Sequence, residues 1–453
     1  MKIAVLALAG VALSASRARA QGYGVYEQDA CTMGRAGTGV AAPCNASAIF
    51  YNPAGIQHTG GNKWDVVLGG VLIRPSFGFH DSVSGATTSG PVNNNLAPHF
   101  YITRQLSHGW AVGFGAFAAY GLVSEWPTTF SGRFLGYRSE IKTGYFQPTI
   151  AKKVNSWLDI GAGVDYIRTL VDLRQRVDLS SQTAAPGVTF GNLGIPLGTD
   201  FANAELHGTS WSSAGHFGVM VHPWRRISLG LRYMMKSTAD IQGAAYINQV
   251  STGIILPAGN PIGVPGGTPL DSVVAPQFRG SGPLNTPHAS TNVALPDQLV
   301  AGVSVKVTNQ LTLLGDYQWV HWAMFQQLTI TTATLPTVTL WQDFKNTSGF
   351  RLGAEYEANN QWMVRAGLLY HQGASPDNTV TPLLPEGARA EQTLGVSYRL
   401  NPHTKIEAAY QHLSQQDRRG RVVNAPRGQG ALFNTGVYTG SANLFGVSLV
   451  WGR

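Results

Sequence analysis

The sequence predicts an all-β membrane protein: a 14-stranded antiparallel transmembrane β-barrel with an N-terminal plug in its lumen. Three observations carry this. Charged residues make up 12% of the 453-residue chain, about half the roughly 25% usual in globular domains, yet mean hydropathy stays near zero because Gly, Thr, Ser, Asn and Gln fill the polar places. Segments of about ten residues alternate apolar with small or polar side chains, the length and pattern of a tilted strand with one face in lipid. Tight turns alternate with long connections along the chain, as in bacterial barrels.

The first element is a targeting segment. MKIAVLALAGVALSASRARA has a short basic start at Lys2, an apolar run from Ile3 to Leu13 and an A-x-A site at Ala18-Arg19-Ala20. It reads as a secretory signal, residues 1–20, cut before Gln21; the apolar run is too short to span a bilayer. Without Lys2, Arg17 and Arg19 the formal charge falls from +8 to +5. No basic stretch is interleaved with aromatics on a nucleic-acid module, so no nucleic-acid partner is expected. The densest basic cluster, Arg418, Arg419, Arg421 and Arg427, suits either a solvated outer loop or one beside the anionic sugars and phosphates of outer-membrane lipids and lipopolysaccharide.

The strands follow. In 443–451, Phe445, Val447, Leu449 and Trp451 share a face against Gly446, Ser448 and Val450. In 362–370, Trp362, Val364, Ala366, Leu368 and Tyr370 oppose Met363, Arg365, Gly367 and Leu369; in 157–166, Leu158, Ile160, Ala162, Val164 and Tyr166 oppose Asp159, Gly161, Gly163 and Asp165. Turn-forming residues mark short connections at 107–109, 155–156, 223–225, 309–310, 359–361 and 401–403. Longer connections fall at 80–97, 124–139, 177–207, 248–290, 332–343, 374–388 and 418–436. Six short turns and seven long loops join 14 strands, with both termini on the periplasmic side.

Residues 21–62 precede the barrel, 63–453, and hold no clean strand pattern. Small residues dominate, and a barrel of this size leaves a bore that side chains alone do not fill. The segment therefore reads as a plug. Cys31 and Cys44 lie in it. In an exported chain a disulfide closing that short loop is expected, since a metal would need more ligands. Asn52-Pro53-Ala54 breaks regular structure here, because proline lacks an N–H and disfavours helix at the residue before it.

At this point the chain resembles the FadL/TodX-type outer-membrane transporters of long-chain fatty acids and aromatic hydrocarbons. The likeness runs through MGRAGTGVAAPCNASAIFYNPAGI in the plug, AAYGLVSEWP at 118–127, LPDQLVAGVSVK and DYQWVHWAMFQQLTI at strands eight and nine, and NTSGFRLGAEYE to LGVSYRLNPHTKIEAAYQHL at strands ten to thirteen. Asn45-Ala46-Ser47 replaces the family's usual Asp-Ala-Ser, and the chain ends Trp-Gly-Arg rather than on an aromatic residue, so Trp451 is the candidate terminal signal. The resemblance implies passive uptake of a hydrophobic small molecule by a monomeric barrel with a hatch, and sideways release at a kink in the third strand.

Candidate sites follow from the residues and this resemblance. Parity in 109–126 puts Trp110, Val112, Phe114, Ala116, Ala118 and Tyr120 toward lipid, and Gly113, Gly115, Phe117, Ala119 and Gly121 inward. Glycines in a strand mark a bulge or a close backbone approach. They suit packing against the plug or a lateral gate, and the resemblance places the kink at Tyr120-Gly121. Asn52 is expected to bond the strand there. Asp316, Arg351, Glu355, Arg365, Glu391 and Glu407 face inward by parity, either as an ion-pair network anchoring the hatch or as a receptor for a ligand carboxylate. Leu193, Ile195, Leu197, Phe201, Ile254, Ile255 and Leu256, in outer loops, suit an apolar entry groove or loops packed on each other. No G-x-S-x-G, H-E-x-x-H or P-loop pattern is present, and His216, His321 and His371 show no ligand spacing. No enzymatic activity, metal or cofactor is expected. The competing reading is a plugged porin-like channel or a surface receptor or adhesin.

Overall fold

The computed structural model describes residues 22–59, 63–260, 262–286, 288–420 and 435–452; the proposed signal and the tip carrying Arg421 and Arg427 lie outside them. Alternating side chains put the chain into 14 spanning strands: β1 (Trp64–Asp81), β2 (Asn95–Gln105), β3 (Trp110–Phe117 and Gly121–Glu125), β4 (Arg138–Lys153), β5 (Leu158–Asp178), β6 (Asp200–Trp224), β7 (Ile227–Met234 and Ser237–Gln249), β8 (Ala289–Leu295 and Gln298–Lys306), β9 (Leu311–Val320 and Gln327–Thr332), β10 (Thr347–Glu357), β11 (Trp362–His371), β12 (Arg389–Asn401), β13 (Thr404–Gly420) and β14 (Gly436–Gly452). Each pairs antiparallel with the next, and β14 closes on β1 from Asp65↔Gly452 to Asp81↔Gly436. Closure joins the first strand to the last, as a lipid environment requires.

The outward side chains form the apolar belt the pattern requires. Leu68, Phe114, Ile160, Val164, Phe217, Leu352, Leu394 and Val447 are exposed, while the alternating Asp159 and Asp165 are buried. Strands 7, 8 and 9 are interrupted, at 235–236, at Pro296-Asp297 and at 321–326. The outer ends of β5 and β6 run further than expected, with Asp178 and Asp200 still paired.

Residues 22–59 lie within this wall. They form two short helices, α1 (Ala30–Met33) and α2 (Ala48–Tyr51), and a 3-10 helix, Pro53–His58. Asp29 caps α1 by accepting from Thr32 N at 2.9 Å, and Cys31 is disulfide-bonded to Cys44. The segment's bonds reach strands on opposite sides: Ala30 N donates to Ser448 Oγ of β14 (3.1 Å), Gly39 N to Asp316 Oδ2 of β9 (3.1 Å), and Gln105 Nε2 of β2 to Ile56 O (2.6 Å). Met33, Ile49, Phe50, Ala54 and Ile56 are buried among the wall side chains.

Candidate functional site

The wall is broken at β3. Its ladder with β2 stops at Phe100↔Ala116. Beyond that, Asn95–His99 of β2 pair with β1, and Gly121–Glu125 of β3 pair with β4. The three residues between, 118–120, are in no strand. Backbone polar groups exposed by such a break need partners, and the N-terminal segment supplies them. Val25 N donates to Ala119 O and Gly121 N to Tyr23 O, both at 2.9 Å. Gln28 Nε2 donates to Ala118 O at 2.6 Å, and Thr143 Oγ1 of β4 donates to Tyr120 O at 2.6 Å. Tyr23 to Gln28 thus stand where β2 would otherwise pair.

The break reverses the parity expected for Tyr120. Its ring is buried in the lumen, and its hydroxyl donates to Pro296 O at 2.6 Å, at the interruption of β8. Tyr23, Tyr120 and Trp322, the last in the interruption of β9, pack edge to face, with centroids 4.7 Å apart for Tyr23–Trp322 and 6.1 Å for Tyr120–Trp322. Burial pushes the phenols of Tyr23 and Tyr51 well above their usual range, so both remain donors, Tyr23 to Ala294 O and Tyr51 to Tyr26 O at 2.7 Å.

Behind the break lies a cavity of 310 Å³, at the small end of the roughly 300–1,000 Å³ typical of ligand sites. Inward residues of the wall line it, Ile73, Phe77, Leu413 and Leu444 among them, together with Val25 and Gly121. So do Leu96 and Pro98, which alternate with the inward Ala97 and buried His99; Leu96 is 67% exposed. The cavity therefore reaches from the lumen to the lipid face between β2 and β3. Its charged lining is Glu27, Lys142, Arg389 and Glu391. Arg389 donates to Gly22 O at 3.3 Å, and its buried Nε has no hydrogen-bond partner among the described residues. Across the outer end of the gap, Asn93 Nδ2 donates to Glu125 Oε2 at 2.7 Å.

Several expected residues sit elsewhere. Asn52 does not reach β3: its Nδ2 donates to Val40 O (2.7 Å) and to Val219 O of β6 (3.0 Å), while its Oδ1 caps Ala54 N (3.1 Å). Gly161 and Gly218 make this approach possible. A Cβ on Gly161 would run into Pro53 and Ala54, and one on Gly218 into Asn52 Oδ1. Gly113 and Gly115 are not at the break but in the paired half of β3, where a Cβ would come within 2.9 Å of Ile49 of the plug. Phe117 stacks on Tyr145 at 5.4 Å and is buried with Ala119. Of the three glycines of β3, Gly121 alone leaves room for a side chain: an added Cβ would make ordinary van der Waals contact, nearest Val25 Cγ2 at 3.5 Å.

The inward charges meet the N-terminal segment. Glu355 accepts from Arg365 Nε at 2.6 Å and lies 3.4 Å from Arg35 Nη1. Asp316 accepts from Gly39 and Val40. Glu407 accepts from Asn45 Nδ2 at 3.0 Å and pairs with Lys405 at 2.9 Å. Gln411 joins Glu391 to Glu27 of the segment. Arg351 instead donates to Gln318 Oε1 (2.5 Å) and lies 4.6 Å over the Tyr26 ring. Parity alone did not single out the buried Arg232, which donates to Gln298 Oε1 at 2.8 Å beneath Phe50.

In the outer loops Phe201, Leu256 and Ile195 are buried in one cluster with Leu179 and Leu270, and Leu193 and Ile254 pack against it. Of the seven residues expected to line a groove, Leu193, Ile195, Phe201, Ile254 and Leu256 thus belong to a loop core, while Leu197 and Ile255 are exposed. Arg418 is likewise turned in, donating to Glu386 O (2.6 Å) and pairing with Asp377 (2.9 Å), so it holds a loop rather than facing lipid headgroups.

A closed barrel with an apolar belt, an internal N-terminal segment and a cavity opening through its wall defines a transport protein of the bacterial outer membrane. A family model described as "Outer membrane protein transport protein (OMPP1/FadL/TodX)" matches residues 11–451, and the chain belongs to that family. It is similar to the "47 kDa outer membrane protein" of Pasteurella multocida, 23% identical over 449 residues covering 98% of this chain and 96% of the relative. It is also similar to the "Long-chain fatty acid transport protein" of Escherichia coli, 24% identical with 97% and 96% covered. In fold it matches a Pseudomonas aeruginosa FadL homologue, with a TM-score of 0.80, 20% identity and 95% and 99% of the two chains covered. The Pseudomonas putida toluene transporter TodX matches with a TM-score of 0.70, 16% identity and 95% and 99% covered.

Proposed function

We propose that the protein takes up hydrophobic small molecules passively, long-chain fatty acids or aromatic hydrocarbons, and releases them sideways into the membrane between β2 and β3. One observation carries the reading: the cavity behind the broken strand is lined both by inward residues and by the lipid-facing Leu96 and Pro98. A hydrophobic solute gains roughly 25 cal/mol per Å² of apolar surface kept from water, so a lateral exit avoids a barrier of several kcal/mol. Residues 22–59 bond to strands on opposite sides of the barrel, which supports a plugged barrel over a general porin.

Within that class the charged lining favours an amphiphile with an anionic head. A hydrocarbon would leave the cationic side chains of the lining, Lys142 and Arg389, beside an apolar ligand, whereas a carboxylate would pair with them. The names of the fatty-acid transport relatives support the same substrate class.

Uptake of labelled fatty acid and of labelled toluene by cells carrying wild-type protein or Gly121→Arg tests the proposal. The arginine has room to enter the cavity and should abolish uptake while heat-modifiable gel mobility shows a folded barrel. Full uptake by the folded variant would refute lateral release. Large steady ion currents in liposomes would instead favour a channel.

A further inference from the structure

We propose that His58, Asp159 and His222 form a binding site for one zinc-class divalent ion at the periplasmic end of the barrel, where the ion ties the end of the N-terminal segment to the wall. The three residues come from separate elements. His58 ends the 3-10 helix Pro53–His58, Asp159 lies at the start of β5 and His222 near the end of β6. Both strand residues adjoin short turns, and His222 N donates to Trp157 O at 2.8 Å.

Their donor atoms converge. His58 Nε2 lies 2.7 Å from Asp159 Oδ2. His222 Nε2 lies 3.1 Å from that same oxygen and 3.1 Å from His58 Nε2. A tetrahedral ion bound by nitrogen and oxygen at about 2.0 Å holds its donors about 3.3 Å apart, so a triangle with sides of 2.7, 3.1 and 3.1 Å needs to open by only a few tenths of an ångström.

Hydrogen bonding alone leaves this triangle in conflict. Each ring nitrogen must carry a proton to bond Asp159, and two N–H groups would then face each other. Removing one proton gives up one bond to the carboxylate. A divalent ion resolves this, since both nitrogens present lone pairs to it and the carboxylate balances its charge. Two further features suit a ligand set. His222 Nδ1 is 3.0 Å from Ser228 Oγ of β7; if that nitrogen carries the proton, Nε2 is left free, the outer-shell arrangement common to metal-bound histidine. Asp159 is buried, and its Oδ1 has no hydrogen-bond partner among the described residues. The His58 and His222 side chains are 34% and 23% exposed, leaving a fourth position for water and a path from the periplasm. Two imidazoles and a carboxylate select a zinc-class ion over calcium or magnesium, which prefer all-oxygen sites.

An ion here would bind the folded, seated segment and so hold its exit end in place by mass action. Full-length, tag-free protein, stripped with chelator and freed of it, tests this by zinc titration calorimetry and by measuring bound zinc per chain. One equivalent of zinc is expected for the wild type and none for His58→Ala/His222→Ala. Ser228→Ala should bind about tenfold or more weakly. Cobalt in place of zinc should give the strong visible bands of tetrahedral coordination, and zinc should raise the melting temperature of the wild type only. Heat-modifiable mobility verifies that each variant is folded. No saturable zinc binding by the wild type, or equal binding by the folded double variant, overturns the proposal.

Discussion

Truncating Gln28 tests how the broken strand is held. Its side chain is buried, and its Nε2 is shared between Ala118 O (2.6 Å) and Val25 O (3.0 Å). Gln28→Ala removes the donor and leaves the Ala118 carbonyl without that partner. A buried polar group left unpaired costs about 1–3 kcal/mol, which at 1.4 kcal/mol per tenfold shifts local opening by about 5- to 150-fold. The opening should be confined to residues 23–28, the strap across the break, because the rest of the segment is held by separate bonds to β6, β9, β10 and β13. Hydrogen exchange reads such local opening residue by residue. The amides of Val25 and Gly121, which cross-link strap and strand, should exchange faster. The amides of Ala111 to Ala116, in the paired half of β3, should not change. Unaltered exchange at Val25 and Gly121 in a folded variant would show that Gln28 does not secure the break.

Two further outcomes follow from the segment's other anchors. Replacing Cys31 and Cys44 by serine opens a cross-link between positions 13 apart, worth about 3 kcal/mol in the chain-entropy model; residues 29–47 should become protease-sensitive while the barrel's gel mobility holds, and two alkylatable thiols in the folded wild type would refute the cross-link. Asn52→Ala should loosen the turn against β6, with a cap loss of about 0.5–2 kcal/mol; the Ala54 amide, which Asn52 caps, should exchange faster, and a change at Gly121 in its place would mean that the turn acts on β3 after all.

The barrel was legible because lipid imposes it. Every outward position must be apolar and every backbone group paired, so 14 strands can be counted from alternation and turns. The interruptions of β7, β8 and β9 were less legible. Pro296 signals one, but the segment at 321–326 reads like continuing strand, and it turns inward because Trp322 packs on Tyr23. The residues of the site were read unevenly for a related reason. Asn52 was identifiable as an amide needing partners, but which wall it meets depends on where glycines clear space. Gly161 and Gly218 do that on β5 and β6, and nothing in their neighbourhoods distinguishes them from the inward glycines of β3. Gln28, Tyr23 and Val25 carry no motif, since two of the bonds they make at the break are made by backbone atoms. His58, Asp159 and His222 are far apart in sequence and become neighbours only once the segment is seated.

These misreadings share one physical root, which also bears on how the site works. A closed barrel cannot expose Ala118 O, Ala119 O and Gly121 N to hydrocarbon without cost, because each unpaired group in lipid is penalised by several kcal/mol. The break in β3 can therefore persist only while something inside the barrel pairs those atoms, and residues 23–28 do so. The Asn52-Pro53-Ala54 turn holds the other end of the segment on β6, so the segment is clamped between the broken strand and the wall three strands further on. On the proposed lateral route, a ligand in the cavity would touch Val25 and Gly121, members of the pairs that hold the strap to the strand, and a movement there would loosen those bonds while the turn on β6 still holds the segment.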